Sequence, residues 1–133
     1  MDEHDARILK ELKEDSKKSN TDLAKVLQVS EGTVRRRIRL LSESGIIEKF
    51  TIKVNPKANF LAWVLVKSRP QATREISEWG RGLGAVQEIY ETSGEWDILI
   101  KFETESSKQF NDALDELRSK EGVLTTETLV VLK

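Results

Sequence analysis

The chain has no cysteine, a single histidine (His4) and two prolines among 133 residues. Without cysteine, disulfides and thiolate metal sites are excluded. One histidine, near an N-terminal end expected to be mobile, supports neither a zinc site nor a histidine-based catalytic group. No metal and no cofactor is therefore expected. No nucleophile–base pair of the usual kind stands out either, so the chain is not read as an enzyme. A run of eighteen apolar residues is missing, which argues against a membrane span or a membrane partner. The opening residues Met-Asp-Glu-His-Asp lack the basic-then-apolar order of a signal peptide, so the cytoplasm is the expected compartment. Strong charge of one sign is absent too. Residues 1–50 hold eleven Lys/Arg and ten Asp/Glu, and residues 51–133 hold eleven and thirteen, for a net charge of −1. Neither half is basic enough to bind nucleic acid indiscriminately.

What is present is a chain 38% hydrophobic and 34% charged, a balance that suits one globular domain or two small ones. The stretch Leu23 to Ile47, LAKVLQVSEGTVRRRIRLLSESGII, organises it. Leu23, Ala24 and Leu27 form one apolar face at helical spacing. Gln28-Val29-Ser30 interrupts the run, and Ser30 is a suitable N-cap because its hydroxyl can accept from the unpaired N–H groups of the next turn. Glu31 follows, where negative charge favours the helix dipole. Val34, Ile38 and Leu41 then recur at i, i+4 and i+7, one face of a helix. Arg36 and Arg39 point to the opposite side, flanked by Arg35 and Arg37. Ser44-Gly45 ends the helix, glycine tolerating the left-handed cap. Two short helices joined by a tight turn, the second basic, suit the DNA major groove. Arg35-Arg36-Arg37 taken alone reads as a solvated helix face; the spacing of the whole unit points to DNA.

Upstream, Ala6, Ile8, Leu9 and Leu12 mark a first helix from about Glu3 to Asp15. Ser19 with Asp22 three residues on reads as a capping-box variant opening a helix over 20–27. Three helices in about fifty residues bury only a small core. Ile46 to Val54 alternates weakly and reads as a strand, ended by Asn55-Pro56. Residues 46–59 are taken as a linker strand between a DNA-binding domain, 1–45, and a second domain, 60–133. An exposed strand edge there would invite pairing with another chain.

The second domain has a clear order. Phe60 to Lys67 (FLAWVLVK) is a nearly continuous apolar strand, and Thr73 to Leu83 carries Ile76, Trp79 and Leu83 at helical spacing. Ala85 to Thr92 and Trp96 to Glu103 are strands flanking the turn Ser93-Gly94-Glu95, a hairpin. Ser106 and Gln109 read as a capping box for a helix reaching Lys120, with Phe110, Ala113, Leu114 and Leu117 on its core face. Val123 to Leu132 is the last strand. The fold class is α+β: a three-helix, winged-type helix-turn-helix domain, a strand linker and a ferredoxin-like βαββαβ domain.

This arrangement resembles the Lrp/AsnC family of feast/famine, leucine-responsive regulators over essentially the whole chain. The residues that carry the resemblance are Asp5-Ala6-Arg7-Ile8-Leu9, Val29-Ser30, Gly45-Ile46-Ile47, Gly94-Glu95-Trp96-Asp97 and Thr126-Glu127-Thr128. Two departures are a short linker without the glycine often found there, and Trp96 where tyrosine is common. The resemblance implies a sequence-specific transcription regulator, cytoplasmic and nucleoid-associated. It implies double-stranded operator DNA as partner and a homo-oligomer built through the C-terminal sheets, from a dimer up to an octamer. It also implies a small amino acid as effector. A symmetric dimer would present its recognition helices to half-sites about one helical turn apart, ~34–36 Å. The alternatives are an architectural DNA-binding protein that needs no ligand, and an enzyme. The fold resembles that of some haem-pathway decarboxylases, which are expected to use histidines in the C-terminal module, where this chain has none.

Two sets of side chains are candidate sites. For DNA, Thr33 and Ser30 offer hydroxyls near the start of the recognition helix, and Arg36 and Arg37 suit a bidentate contact to guanine. Arg35 and Arg39 suit phosphates, and Thr21 lies at a helix start whose N–H groups also favour phosphate. For the effector, Gly94 permits close backbone approach, and the Asp97 carboxylate could hold an ammonium group. Thr126 and Thr128, two apart on one strand face, could hold a carboxylate or amide. The plainer reading is that Asp97 pairs with a neighbouring lysine and the threonines are ordinary strand residues.

Overall fold

The computed structural model describes residues 1–133. Its elements are α1 (Glu3–Glu14), α2 (Asn20–Leu27), α3 (Glu31–Glu43), β1 (Phe60–Ser68), α4 (Thr73–Arg81), β2 (Val86–Glu91), β3 (Ile98–Thr104), α5 (Ser107–Ser119) and β4 (Val123–Val130). The chain divides into two compact units, Met1–Lys53 and Val54–Lys133. No helix is long and apolar enough to cross a membrane.

In the first unit each helix starts on a polar cap. Asp2 opens α1 with a full capping box: its carboxylate accepts from the Asp5 N–H at 3.0 Å, and the Asp5 carboxylate accepts from the Asp2 N–H at 3.3 Å. His4 therefore lies in the first helical turn, and the end expected to be mobile is helical. Ser19 and Ser30 cap α2 and α3 by accepting from the N–H groups of Asp22 and Thr33. Between α2 and α3 the chain reverses at Gln28, whose φ of 59° is left-handed. The core is Ile8 of α1, Leu23, Ala24 and Leu27 of α2, and Val34 and Leu41 of α3, all buried. Full burial of each larger side chain contributes roughly 1.5–3 kcal/mol, enough to hold three short helices that would not persist singly. Glu11 is also buried and accepts from Arg7 Nε at 2.8 Å and from Lys18 Nζ. The paired cations hold its carboxyl below the usual range, Lys18 foremost.

The strand expected over Ile46–Val54 is not formed: no element lies between α3 and β1. A strand needs a ladder partner, and the four strands of the sheet pair only among themselves. Ile46, Phe50 and Ile52 are left exposed.

The second unit is an antiparallel sheet of order β2-β3-β1-β4 with the two helices as crossovers, a ferredoxin-like βαββαβ arrangement. Registry sets the faces. Val64 lies opposite Ile100 and Thr128, and Val66 opposite Ile98 and Thr126. This face buries Ala62, Val64, Val66, Ile89, Ile98, Ile100 and Phe102 against Ile76, Phe110 and Leu117 of the helices. Phe102 meets Phe110 edge-on at 5.5 Å. Gly122 permits the turn before β4: its φ is +96°, and a Cβ there would stand 2.4 Å from Ala72 Cβ. The opposite face carries Trp63 and Leu65 of β1, Leu99 of β3, Tyr90 of β2 and Leu129 of β4. Neither helix of this unit covers it, because both pack on the Val64 side. Tyr90 and Leu129 are half exposed, at 50% and 52%.

Candidate nucleic-acid interface and effector site

The amphipathic pattern of α3 turns Val34 and Leu41 inward and leaves Arg35, Arg36 and Arg39 exposed. The arginines are not equivalent. Arg35 donates to both carboxylate oxygens of Glu31 at 2.9 and 2.8 Å, and Arg39 Nε lies 3.9 Å from Glu43. Both are solvent-exposed i,i+4 pairs, each worth about 0.3–0.5 kcal/mol and readily exchanged for a phosphate. The Arg36 guanidinium makes no hydrogen bond or ion pair with any residue of the chain. Arg37 differs again. Its side chain is 19% exposed and Nη1 donates to Asp2 at 2.7 Å and Asp5 at 3.1 Å. Those two carboxylates keep the guanidinium firmly protonated, Asp2 foremost. The guanine contact expected of Arg37 thus meets a side chain already held by two partners.

The remaining DNA candidates gather at helix starts. Ser30 and Thr33 share a hydrogen bond of 2.8 Å between their hydroxyls, beside the first turn of α3. Thr33 and Arg36 are three apart and so neighbours on the α3 surface. Thr21 is exposed in the first turn of α2. Sequence reasoning overlooked the Asp2–Asp5 box and its link to Arg37. The spacing of two aspartates just before the Ile8-Leu9 pair was the available signal.

The effector candidates fall on two sides of β1. Gly94 turns the β2–β3 hairpin at φ +109°, in open space. Asp97 follows it and extends the ladder past its last pair. Its N–H donates to the Val66 carbonyl at 2.9 Å, and its Oδ2 accepts from the Ser68 N–H at 2.9 Å. A side-chain oxygen thus stands in for a ladder carbonyl where β1 and β4 slip register at Lys67/Ser68. The lysine partner expected on the plainer reading is not used; Lys67 Nζ donates instead to the Glu95 carbonyl at 2.8 Å. Oδ1 of Asp97 accepts no hydrogen bond. Thr126 and Thr128 do share a face, half-buried on the side that packs the helices. Thr126 and Ile98 flank Val66 on opposite sides, so the threonines stand about two strand spacings, ~10 Å, from the hairpin side. Within one chain the four residues form no single pocket. An open cleft of about 360 Å³ lies at the far end of β3, lined by Asn59, Gly84, Ala85, Glu103, Thr104, Glu105 and Gln109. No group of three or more His, Cys, Asp or Glu residues is placed to hold a metal ion.

A capped basic helix on a three-helix unit, followed by a ferredoxin-like unit, is the architecture of a helix-turn-helix DNA-binding protein with a second, separate domain. Comparison with known proteins agrees. Residues 1–48 match the winged helix-turn-helix DNA-binding family, and residues 61–133 match the Lrp/AsnC ligand binding domain. The chain belongs to the Lrp/AsnC family of transcriptional regulators, which are not enzymes. It is 37% identical over 136 residues to the HTH-type transcriptional regulator FL11 of Pyrococcus furiosus, covering 100% of this chain and 90% of that protein. It is 37% identical over 134 residues to the HTH-type transcriptional regulator LysM of Sulfurisphaera tokodaii, covering 100% and 96%. Among solved structures, a transcriptional regulator of Neisseria meningitidis in complex with L-Met superposes with a TM-score of 0.71 at 26% identity, covering 100% of this chain and 90% of the other.

Proposed function

We propose that α3 reads operator DNA and that a small amino acid, bound by the C-terminal unit of a homo-oligomer, modulates that binding. The observation that carries the DNA reading is Arg36, an exposed guanidinium with no carboxylate partner, next to Thr33 on the recognition helix. Arg36 takes the bidentate base contact; Thr33 and Ser30 offer hydroxyls to base edges. Arg35 and Arg39 leave their exposed glutamates for phosphates, and Thr21 adds a phosphate contact at the start of α2. This reading places the protein in the cytoplasm, at the nucleoid, with a DNA-binding domain over 1–45, a linker over 46–59 and an effector and oligomerisation domain over 60–133.

The amino-acid part is supported by the family of the C-terminal domain and by the L-Met complex of the Neisseria regulator. Oδ1 of Asp97 is available for an ammonium group. Gly94, Thr126 and Thr128 complete a site only if a second protomer brings the two sides of β1 together with its own residues. The oligomer itself is supported by the uncovered sheet face with Trp63, Leu65, Leu99, Tyr90 and Leu129. Ligand-independent architectural binding is the second reading, and the engagement of Asp97 by the Ser68 N–H favours it.

One experiment separates them. The twenty amino acids are screened against the wild type by thermal shift and calorimetry, and DNA affinity is measured with and without any that bind. Modulation requires a coupling of about 1–3 kcal/mol, equal in both directions. If none of the twenty binds, or if one binds without changing DNA affinity, the effector reading fails and the architectural one stands.

A further inference from the structure

One arginine of α3 stands apart from its neighbours in what it holds. Arg37 is 19% exposed, whereas Arg35 and Arg39 are 67% and 65% exposed. Its Nη1 bridges Asp2 Oδ2 and Asp5 Oδ1, residues 35 and 32 positions away. These two carboxylates are also the capping box of α1, so each is fixed by the other's backbone N–H. Two carboxylates held this close repel one another unless a cation stands between them. Arg37 is that cation. Its Nε is buried without an acceptor, so the two aspartates orient the side chain through Nη1 and Nε takes no part. Swinging Arg37 out to a phosphate or a guanine would leave the aspartates facing each other without a counter-charge.

We infer that Arg37 is a positioning residue for DNA binding: by bridging the two capping carboxylates of α1 it fixes that helix across the recognition helix, and it does not itself contact DNA. The ion pairs join the first and last helices of the reading unit at their polar rim, while Ile8 and Leu41 join them in the core. The Asp2 carboxyl is held down to about 2 by the Asp5 N–H and by Arg37, so this carboxylate is charged wherever DNA binding is measured.

The test uses the full chain and two duplexes: one selected by the wild type from a randomised library, and a scrambled duplex of the same composition. Variants are compared at a temperature where circular dichroism shows all of them folded. Arg37→Ala is expected to weaken binding to both duplexes by the same factor, about 3- to 10-fold. The slope of log affinity against log salt should stay unchanged, because no phosphate contact is lost. Arg37→Lys should restore part of the loss. Asp2→Asn with Asp5→Asn preserves the caps, since asparagine caps as well as aspartate. Removing two negative charges would by itself tighten DNA binding, whereas loss of the clamp weakens it, so the sign decides. Weaker binding by the double asparagine variant, with little further loss on adding Arg37→Ala, supports the inference. Tighter binding by that variant overturns it. So does a loss of discrimination between the duplexes in Arg37→Ala, which would make Arg37 a base reader. A salt slope reduced by about one would make it a phosphate contact. Unchanged affinity in every folded variant would reduce Arg37 to a stabilising contact and equally overturn the inference.

Discussion

Single side chains in this protein are sorted by what they already hold. The Arg36 side chain holds nothing within the chain, and on the proposed reading its exposed guanidinium forks onto a base edge. Arg36→Ala is expected to remove about 1–3 kcal/mol of discrimination between selected and scrambled duplexes in a binding assay. Glu11 and Asp2 hold cations and N–H groups, which keep both carboxyl pKa values below the ordinary 4.5 and 3.8. A carboxyl with a lowered folded pKa binds protons more readily when unfolded, so acid favours unfolding. Its stabilising contribution is complete above the ordinary value and is lost as pH falls through the folded value. Unfolding of the helical unit followed by circular dichroism should therefore show stability falling below about pH 4.5, continuing toward about 2 for Asp2. Glu11→Gln should flatten the first part of that decline.

At the scale of elements, the helices and strands are joined where backbone approaches closely. The turn from α5 into β4 passes under Ala72 and needs Gly122 both for its φ of +96° and for space. Gly122→Ala is expected to destabilise the C-terminal unit by at least about 1 kcal/mol. Gly84 is the control, because a Cβ there meets nothing within 4 Å. Thermal unfolding of the two variants, followed by tryptophan fluorescence, should separate them clearly, since Trp63, Trp79 and Trp96 all lie in that unit.

At the scale of the whole molecule, the second sheet face has no covering layer in its own unit. On the proposed reading a second copy covers it, with Trp63 and Tyr90 as aromatic anchors; a standard interface buries about 800 Å² on each partner. Light scattering at micromolar concentration should give a dimer or larger. Trp63→Asp should shift it toward monomer while the fold survives, because the Trp63 side chain lies on the face away from the Val64 core. A monomeric wild type would refute the oligomer.

The sequence by itself determined what depends on near neighbours along the chain. Ser30 before Glu31 and the Val34, Ile38, Leu41 stripe marked the recognition helix, and alternation around Gly94 marked the hairpin. Caps and amphipathic periods act over three or four residues, so spacing alone exposes them. The order βαββαβ followed in the same way from the succession of periods. Tertiary structure decided the partners. Arg35, Arg36 and Arg37 look alike in a string; only the packing of α1 on α3 brings Asp2 and Asp5 to Arg37 and leaves Arg36 open. Asp97 carries no mark of Ser68, 29 residues before it, because that bond arises from the register of β1 against β3. Thr126 and Thr128 share a face as their spacing requires, but which face is set by their pairing with Val66 and Val64. The alternation over Ile46–Val54 suggested a strand and produced none, because a strand is completed by its neighbour's backbone and not by its own side chains.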